Sequence, residues 1–561
     1  MKNRIAKKWL THFEQSGFLS SPRYAESIQY FRQFAARTPN AKMFSIGISP
    51  KNRSIECLVV SKNKEFTSAR AKKSRKAIVL IQNGIHAGEI EGKDACMLLL
   101  RDILVTREKF YLLDHLILLI IPILNVDGHE QISPFNRPNQ NGPEKMGWRT
   151  NSWNLNLNRD YLKADTPEIR AFLKLYDDWQ PDFFIDNHTT DGADYQYHVT
   201  YALEKWGNID KGLGAWGAKQ FLPYVVNQTE QQGFLTAPYI ILKDESIESG
   251  IVDEPALPRF STGYAAAQNR LGLLVETHSL KPYENRVRST YAINEAALGF
   301  INKHWSGLKD LNAKADAASA TLKSLPINFE LTEDSQSFKF KGFKSKYYYS
   351  IITGNDVVQF SKQPVEFEVP YYNKVRNAQS VQVPKGYLIP REYFQLMEIL
   401  TLHGVKFSTV KRALTLTVQE LTFDEYTHAP KPYEGRQCVK VKCKSNQFKF
   451  RAEEGTYYVP TKQRTLRVIV NLLEPEAPDS FVSWGFFNAW FERKEYAEPY
   501  IMEPYAQQML ENDEMLRKEF LKRLDADETF QSDPKARLDF FYERSPFFDQ
   551  KEKKYPILRV V

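Results

Sequence analysis

The sequence predicts an α/β domain followed by a smaller, β-rich α+β domain, and three observations carry that reading. Apolar runs of strand length alternate with amphipathic helical stretches through the first 320 residues. Polar residues gather just after each of those runs. Beyond an Ala-, Lys- and Ser-rich stretch between Lys309 and Pro326, the pattern changes to short alternating strands. At 561 residues the chain exceeds what one core usually serves, so two domains are expected, 1–320 and 321–561.

The elements follow in order. From Glu26 to Ala36 an amphipathic helix places Ile28, Phe31, Phe34 and Ala35 on one face. Glu56 to Ser61 and Ala77 to Gln82 read as buried strands, separated by the basic turn Lys72 to Lys76, a solvated loop. A helix from about Glu89 to Leu104, a strand from Leu116 to Leu124, a helix from Thr166 to Trp179 and a strand from Asp182 to Asp186 continue the alternation. Leu271 to Val275 adds a strand, and Ile293 to Trp305 closes the domain with a helix. In the second half, Phe338 to Phe340, Val439 to Cys443 and Leu466 to Leu472 read as strands. Arg391 to His403, stopped by Gly404, and Ile501 to Arg523 read as helices. The interleaved Lys and aromatic residues from Phe338 to Tyr349 fit a half-buried strand with lysines on its wet face.

Composition excludes several function classes. With 42% hydrophobic and 13% aromatic residues the chain is a folded globular protein rather than a solvated tail. Its net charge of +8 is spread without a concentrated basic block, so nucleic acid is not an expected partner. Cys57, Cys96, Cys438 and Cys443 are too few for a disulfide scaffold and form no Cys-x-x-Cys pair; free thiols are expected. The longest apolar stretch, Leu116 to Leu124, is interrupted by Pro122 and falls short of the ~20 residues that span a bilayer. Met1 to Leu19 has no apolar stretch of the kind an export signal needs. The expectation is a cytoplasmic protein as written, or a periplasmic or secreted one if a signal has been removed.

Open α/β sheets bind ligands beyond the carboxyl ends of their strands, and there this sequence carries its chemistry. Asn83-Gly84-Ile85-His86-Ala87-Gly88-Glu89 follows one strand and Asn125-Val126-Asp127-Gly128 the next. Asn187-His188-Thr189-Thr190 and Glu276-Thr277-His278 follow the others. Two imidazoles and a carboxylate suit a hydrolytic zinc site, with a fourth position open to water and a second carboxylate to take a proton. His86 and Glu89, at His-x-x-E spacing where a loop enters a helix, form the local pair; His188 arrives from a distant strand. Taken alone, His-x-x-E is a common spacing.

In their joint order these motifs resemble the zinc carboxypeptidase family. Gly84 to Glu89 resembles its first ligand motif, Asn125 to Gly128 its Asn-Pro-Asp-Gly turn, and Asn158-Arg159 its substrate-carboxylate pair. His188 resembles its third ligand and Glu276 its catalytic glutamate. The resemblance covers roughly residues 20 to 305. It implies an α/β/α sandwich around a mixed, largely parallel sheet, and one zinc per chain held by His86, Glu89 and His188. It further implies Glu276 as general base, Arg149 as the arginine that stabilises the oxyanion, with Arg137 nearby, and Asn158 and Arg159 as the grip on a terminal carboxylate. Thr262 and Gly263 are expected to line a roomy, neutral specificity pocket. Either Tyr239 or Tyr264 is available to cap the substrate, and Tyr264 is taken. His278 is expected to be structural.

The sequence also departs from the family. Asn156 stands where an aspartate commonly backs the first histidine ligand, and Gly88 replaces the arginine often found before the glutamate ligand. The expected function is a metallocarboxypeptidase that hydrolyses the C-terminal bond of peptides. Two alternatives remain at this level. One is a zinc amidase or deacylase acting on N-acyl amino acids or cell-wall peptides; the other is a non-catalytic protein whose second half binds a glycan or protein. Side-chain preference and oligomeric state are not encoded in any motif.

Overall fold

The computed structural model describes residues 6–190, 192–244 and 246–561; the first five residues of the amino-terminal stretch read above lie outside it. Eight strands form the main sheet: β1 (Ala41–Ile48), β2 (Ser54–Ser61), β3 (Ala77–Asn83), β4 (Leu116–Ile121), β5 (Phe183–Thr190), β6 (Val199–Leu203), β7 (Thr236–Pro238) and β8 (Leu271–His278). Their spatial order is β1-β2-β4-β3-β5-β8-β6-β7. The central four run parallel, and antiparallel pairings flank them on both sides.

Burial on both faces explains why the central strands read as unbroken apolar runs. In β4, Ile117, Leu119 and Ile121 enter one core while Leu116, Leu118 and Ile120 enter the other. Helices α1 (Tyr24–Arg37), α2 (Glu91–Leu104) and α5 (Tyr283–Ser319) cover the second face; α3 (Pro167–Trp179) and α4 (Ser261–Ala267) cover the first. Local chemistry sets the boundaries of α3. The Thr166 hydroxyl accepts from the Ile169 amide, Pro167 opens the first turn, and Gln180 ends the helix at φ 47°. The first half is therefore an α/β/α sandwich around a mixed, largely parallel sheet.

Beyond the end of α5 the chain is β-rich. A long hairpin pairs Gln336–Ser350 with Asn355–Tyr372, and a second pairs Leu414–His428 with Val439–Ala452 inside a six-stranded sheet. The core beneath α3 and α4 continues into this half through Ile389, Leu400, Phe423 and Val468. Leu466–Leu473 is a helix, not the strand expected there. Nearly all of it is buried, and a short apolar run without a polar alternate does not distinguish strand from helix. The helix expected from Ile501 to Arg523 is broken at Asp513, whose carboxylate caps a new start by accepting from the Met515 and Leu516 amides. All four cysteines are free. No helix among the described residues is long and apolar enough to cross a membrane.

One buried carboxyl gives a prediction about stability. Burial pushes Glu168, in the first turn of α3, from 4.5 up to about 7, with the Asn151 amide opposing. A raised folded pKa means that the native state holds the proton more tightly than the unfolded chain. The contribution is full below about pH 4.5 and is lost as pH rises through about 7. The wild-type melting temperature should fall between about pH 5 and pH 8. Glu168→Gln should flatten that fall, by on the order of 3 kcal/mol at most. Parallel melting curves at the two pH values check it.

Candidate metal and catalytic site

The site is assembled at the carboxyl ends of β3, β5 and β8. After β3, Gly84 takes φ +62° and turns the chain off the sheet, while the Leu124 and Asn125 amides donate to the carbonyls of Asn83 and Gly84. The loop then presents His86 and, one turn on, Glu89 just before α2. On β5, Asp186 and His188 are two residues apart and so share a face. Glu276 on β8 is the direct register partner of His188.

Each imidazole is oriented from behind. His86 Nε2 donates to Asn156 Oδ1 at 3.0 Å, and His188 Nε2 donates to Asp186 Oδ2 at 2.6 Å. These partners place a proton on each Nε2 and turn both Nδ1 atoms toward the Glu89 carboxylate, at 3.2 and 3.1 Å. His86, Glu89 and His188 are the group of potential metal ligands that converges among the described residues, with one donor atom from each lying within 4.8 Å of the others.

The electrostatics suit a dication. Burial pushes His86 down to about 4, so its ring is neutral and able to ligate. Burial opposes the charge of Glu89, yet His86, Arg137 and His188 together hold its carboxyl well below the usual range. Burial likewise opposes charge on His188, but Asp186 and Glu89 hold it well above the ordinary imidazole value. Burial, reinforced by Glu89 and Asp186 and opposed by His188, pushes Glu276 up to about 8. Glu276 Oε2 is buried with no hydrogen-bond partner among the described residues. The Glu89 and Glu276 carboxyl groups thus face the same cleft as His86, while His188 meets Glu89 and has Asp186 behind it. The donor set fits zinc.

A cleft of about 480 Å³ opens on this cluster. His86, Glu89, Glu276, Arg137, Arg149, Trp148 and Tyr239 are among the residues that line it. Arg137 Nη2 and Arg149 Nη1 both donate to Glu89 Oε1, at 2.8 and 3.3 Å. Gly88 explains the first of these. A Cβ there would lie 2.8 Å from the Arg137 side chain and 2.7 Å from the Gly147 carbonyl, so the residue that stands in place of an arginine leaves room for one arriving from elsewhere. The turn from Asn125 to Gly128 is scaffolding for Arg149: Asn125 Nδ2 donates to the Arg149 carbonyl, and the Trp148 amide donates to Gly128.

Other expected residues sit elsewhere. Asn158 is buried and its Oδ1 accepts from the Ser261 amide; Arg159 lies over the Phe260 ring at 4.5 Å, outside the cleft lining. Tyr264 does not cap a substrate: it is buried among Tyr161 and Tyr176 with its hydroxyl bonded to His403 and Gln268, and Tyr239 is the tyrosine on the cleft. Thr262 and Gly263 do not line the open cleft either. Thr262 donates to Glu204, and a Cβ on Gly263 would meet the Leu257 carbonyl at 2.2 Å, because α4 is packed backbone to backbone against that segment. His278 is buried beside Asp194 and stacked on Tyr195.

Residues 27–204 match the sequence model of the zinc carboxypeptidase family. That stretch is similar to a zinc carboxypeptidase. The match supports a hydrolase of the metallocarboxypeptidase class, and the matched stretch contains His86, Glu89, Asn158, Arg159 and His188. Carboxypeptidase 2 of Trichophyton rubrum is 25% identical over 441 residues, covering 73% of this chain and 74% of that protein. Carboxypeptidase 2 of Trichophyton tonsurans is 24% identical over 497 residues, covering 83% and 84%. The metallo-carboxypeptidase from Pseudomonas aeruginosa, solved with (2-guanidinoethylmercapto)succinic acid, is 15% identical with a TM-score of 0.39, covering 51% of this chain and 69% of that one.

Sequence reasoning passed over Asp186, Thr189 and the second half's approach to the loop that carries Asn156 and Arg159. Asp186 had a signal, since a carboxylate two residues before a strand histidine shares its face. Thr189 contributes its amide to Glu89 Oε2 at 3.1 Å, and backbone donors carry no sequence signal.

Proposed function

We propose that this protein is a zinc carboxypeptidase that removes C-terminal residues from peptides. One zinc per chain would be held by His86 Nδ1, Glu89 and His188 Nδ1. The observation that carries the reading is the convergence of those three donors with the orphaned carboxylate of Glu276 on one cleft. When bound, zinc supplies Lewis-acid polarisation of the scissile carbonyl and lowers the pKa of water. The carboxypeptidase names of the relatives agree with the reading.

The chain's own residues then divide the work. Glu276 takes a proton from the attacking water at its free oxygen and returns it to the departing amine. A dication nearby favours its ionised form over the neutral form that burial favours. Arg149, joined by Arg137, provides positive charge on the cleft wall where negative charge develops on the carbonyl oxygen. By resemblance to the family's pair, Asn158 and Arg159, which do not line the open cleft, would hold the substrate's terminal carboxylate, a pairing suited to the planar guanidinium. Tyr239 closes over the bound residue.

The carboxylate grip separates an exopeptidase from an enzyme that cuts internal amides. Arg159→Ala should raise KM for peptides with a free carboxyl terminus by about 10- to 100-fold and change kcat far less. Steady-state kinetics on one such peptide checks it. An unchanged kcat/KM would reject the exopeptidase reading and favour an acyl or internal-amide substrate.

A further inference from the structure

The second half meets the loop that carries Asn156 and Arg159 through the turn 429–438, which closes the hairpin of Leu414–His428 with Val439–Ala452. Arg159 Nε donates to the Tyr433 hydroxyl oxygen at 2.8 Å, and the Asn156 amide donates to Glu434 Oε2 at 2.8 Å. Asn156 is the residue that orients His86. Two neighbouring side chains of the second half therefore meet the loop that carries both the histidine's support and the guanidinium.

The turn is fixed without the Tyr433 hydroxyl. Arg436 makes a paired bond to Asp165 at 2.7 and 2.6 Å, Glu434 holds Asn156, and the Tyr433 ring stacks on Trp484 at 12°. Trp484 is itself buried under Arg259, which is bonded to Asp479. With its oxygen accepting from Arg159, the phenol still has its own proton to donate. Among the described residues none takes it, and Tyr433 is 39% exposed. A guanidinium and a phenol O–H side by side match the two oxygens of a carboxylate.

We propose that Tyr433 is a specificity-determining residue, forming with Arg159 a two-group receptor for the terminal carboxylate of the substrate. The proposal rests on the exopeptidase reading of Arg159 and assigns the second half a part in the site. Tyr433→Phe keeps the ring and its stacking and removes only the hydroxyl. For a peptide that the wild type hydrolyses, this variant should raise KM about tenfold, with kcat within about twofold and the melting temperature within about 2 °C. The Ki of the same peptide's C-terminal amide, as a competitive ligand, should not move. Added to Arg159→Ala, the change should cost less than about threefold more, because the two groups share one ligand.

Three results would overturn the proposal. If Tyr433→Phe leaves KM unchanged while Arg159→Ala raises it, Tyr433 is scaffolding and the exopeptidase reading stands. If neither variant changes KM, the reading of Arg159 fails and the proposal falls with it. If KM of the acid and Ki of the amide rise together, Tyr433 shapes the pocket without reading the carboxylate.

Discussion

Glu276→Gln should abolish peptide hydrolysis while leaving bound zinc in place. The substitution keeps the volume of a side chain that is buried next to His188 and faces the cleft, but an amide neither accepts a proton from water nor returns one. General acid–base transfer contributes about 10²- to 10⁴-fold to a rate, so kcat should drop by about 10³ or more, because the same group serves both transfers. None of the potential ligand atoms is altered, and zinc per chain measured by mass spectrometry should equal that of the wild type. Turnover within about tenfold of the wild type would remove Glu276 from the mechanism. Loss of zinc together with activity would instead make it part of the metal cage.

Glu89→Ala should have the other large effect, and on two quantities at once. It removes a donor and leaves His86, His188, Arg137 and Arg149 converging without the anion that joins them. Bound zinc should fall below about a tenth of an equivalent and hydrolysis should become undetectable. The melting temperature should drop as well, since breaking a buried ion pair leaves an uncompensated charge and costs about 3–5 kcal/mol. Asp186→Asn gives the contrast. It weakens only the support behind His188, and such outer partners are worth about 10- to 100-fold in metal affinity. Zinc titration of the three proteins should rank them wild type, Asp186→Asn, Glu89→Ala. Equal affinities would show that zinc is not held at this point.

The sequence made the sheet and the ligands legible for a common physical reason. Strands buried on both faces appear as apolar runs, and residues just beyond them, such as His86, His188 and Glu276, are brought together by parallel pairing alone. What stayed hidden depended on approach through space. Gly88 looked like the loss of an arginine, yet it is the gap that Arg137 fills from 49 positions away, by the numbering. Tyr264 and Tyr239 were both available along the chain, and only packing shows that one is sealed beside His403 and the other lines the cleft. Leu466 to Leu472 misled because uniform burial erases the alternation that marks a strand. Tyr433 and Glu434 meet Arg159 and Asn156 across separations of 274 and 278 residues, and no local pattern announces such contacts.

The measurement that tests the central claim most directly is zinc content, on protein purified without added metal, together with the products formed from a peptide library before and after chelation. The account predicts close to one zinc per chain and stepwise release of single residues from carboxyl termini, lost on chelation and restored by zinc. Stoichiometric zinc with hydrolysis of N-acyl amino acids but of no peptide would move the site to an amidase. Peptide release that survives complete removal of metal would contradict the account at its root.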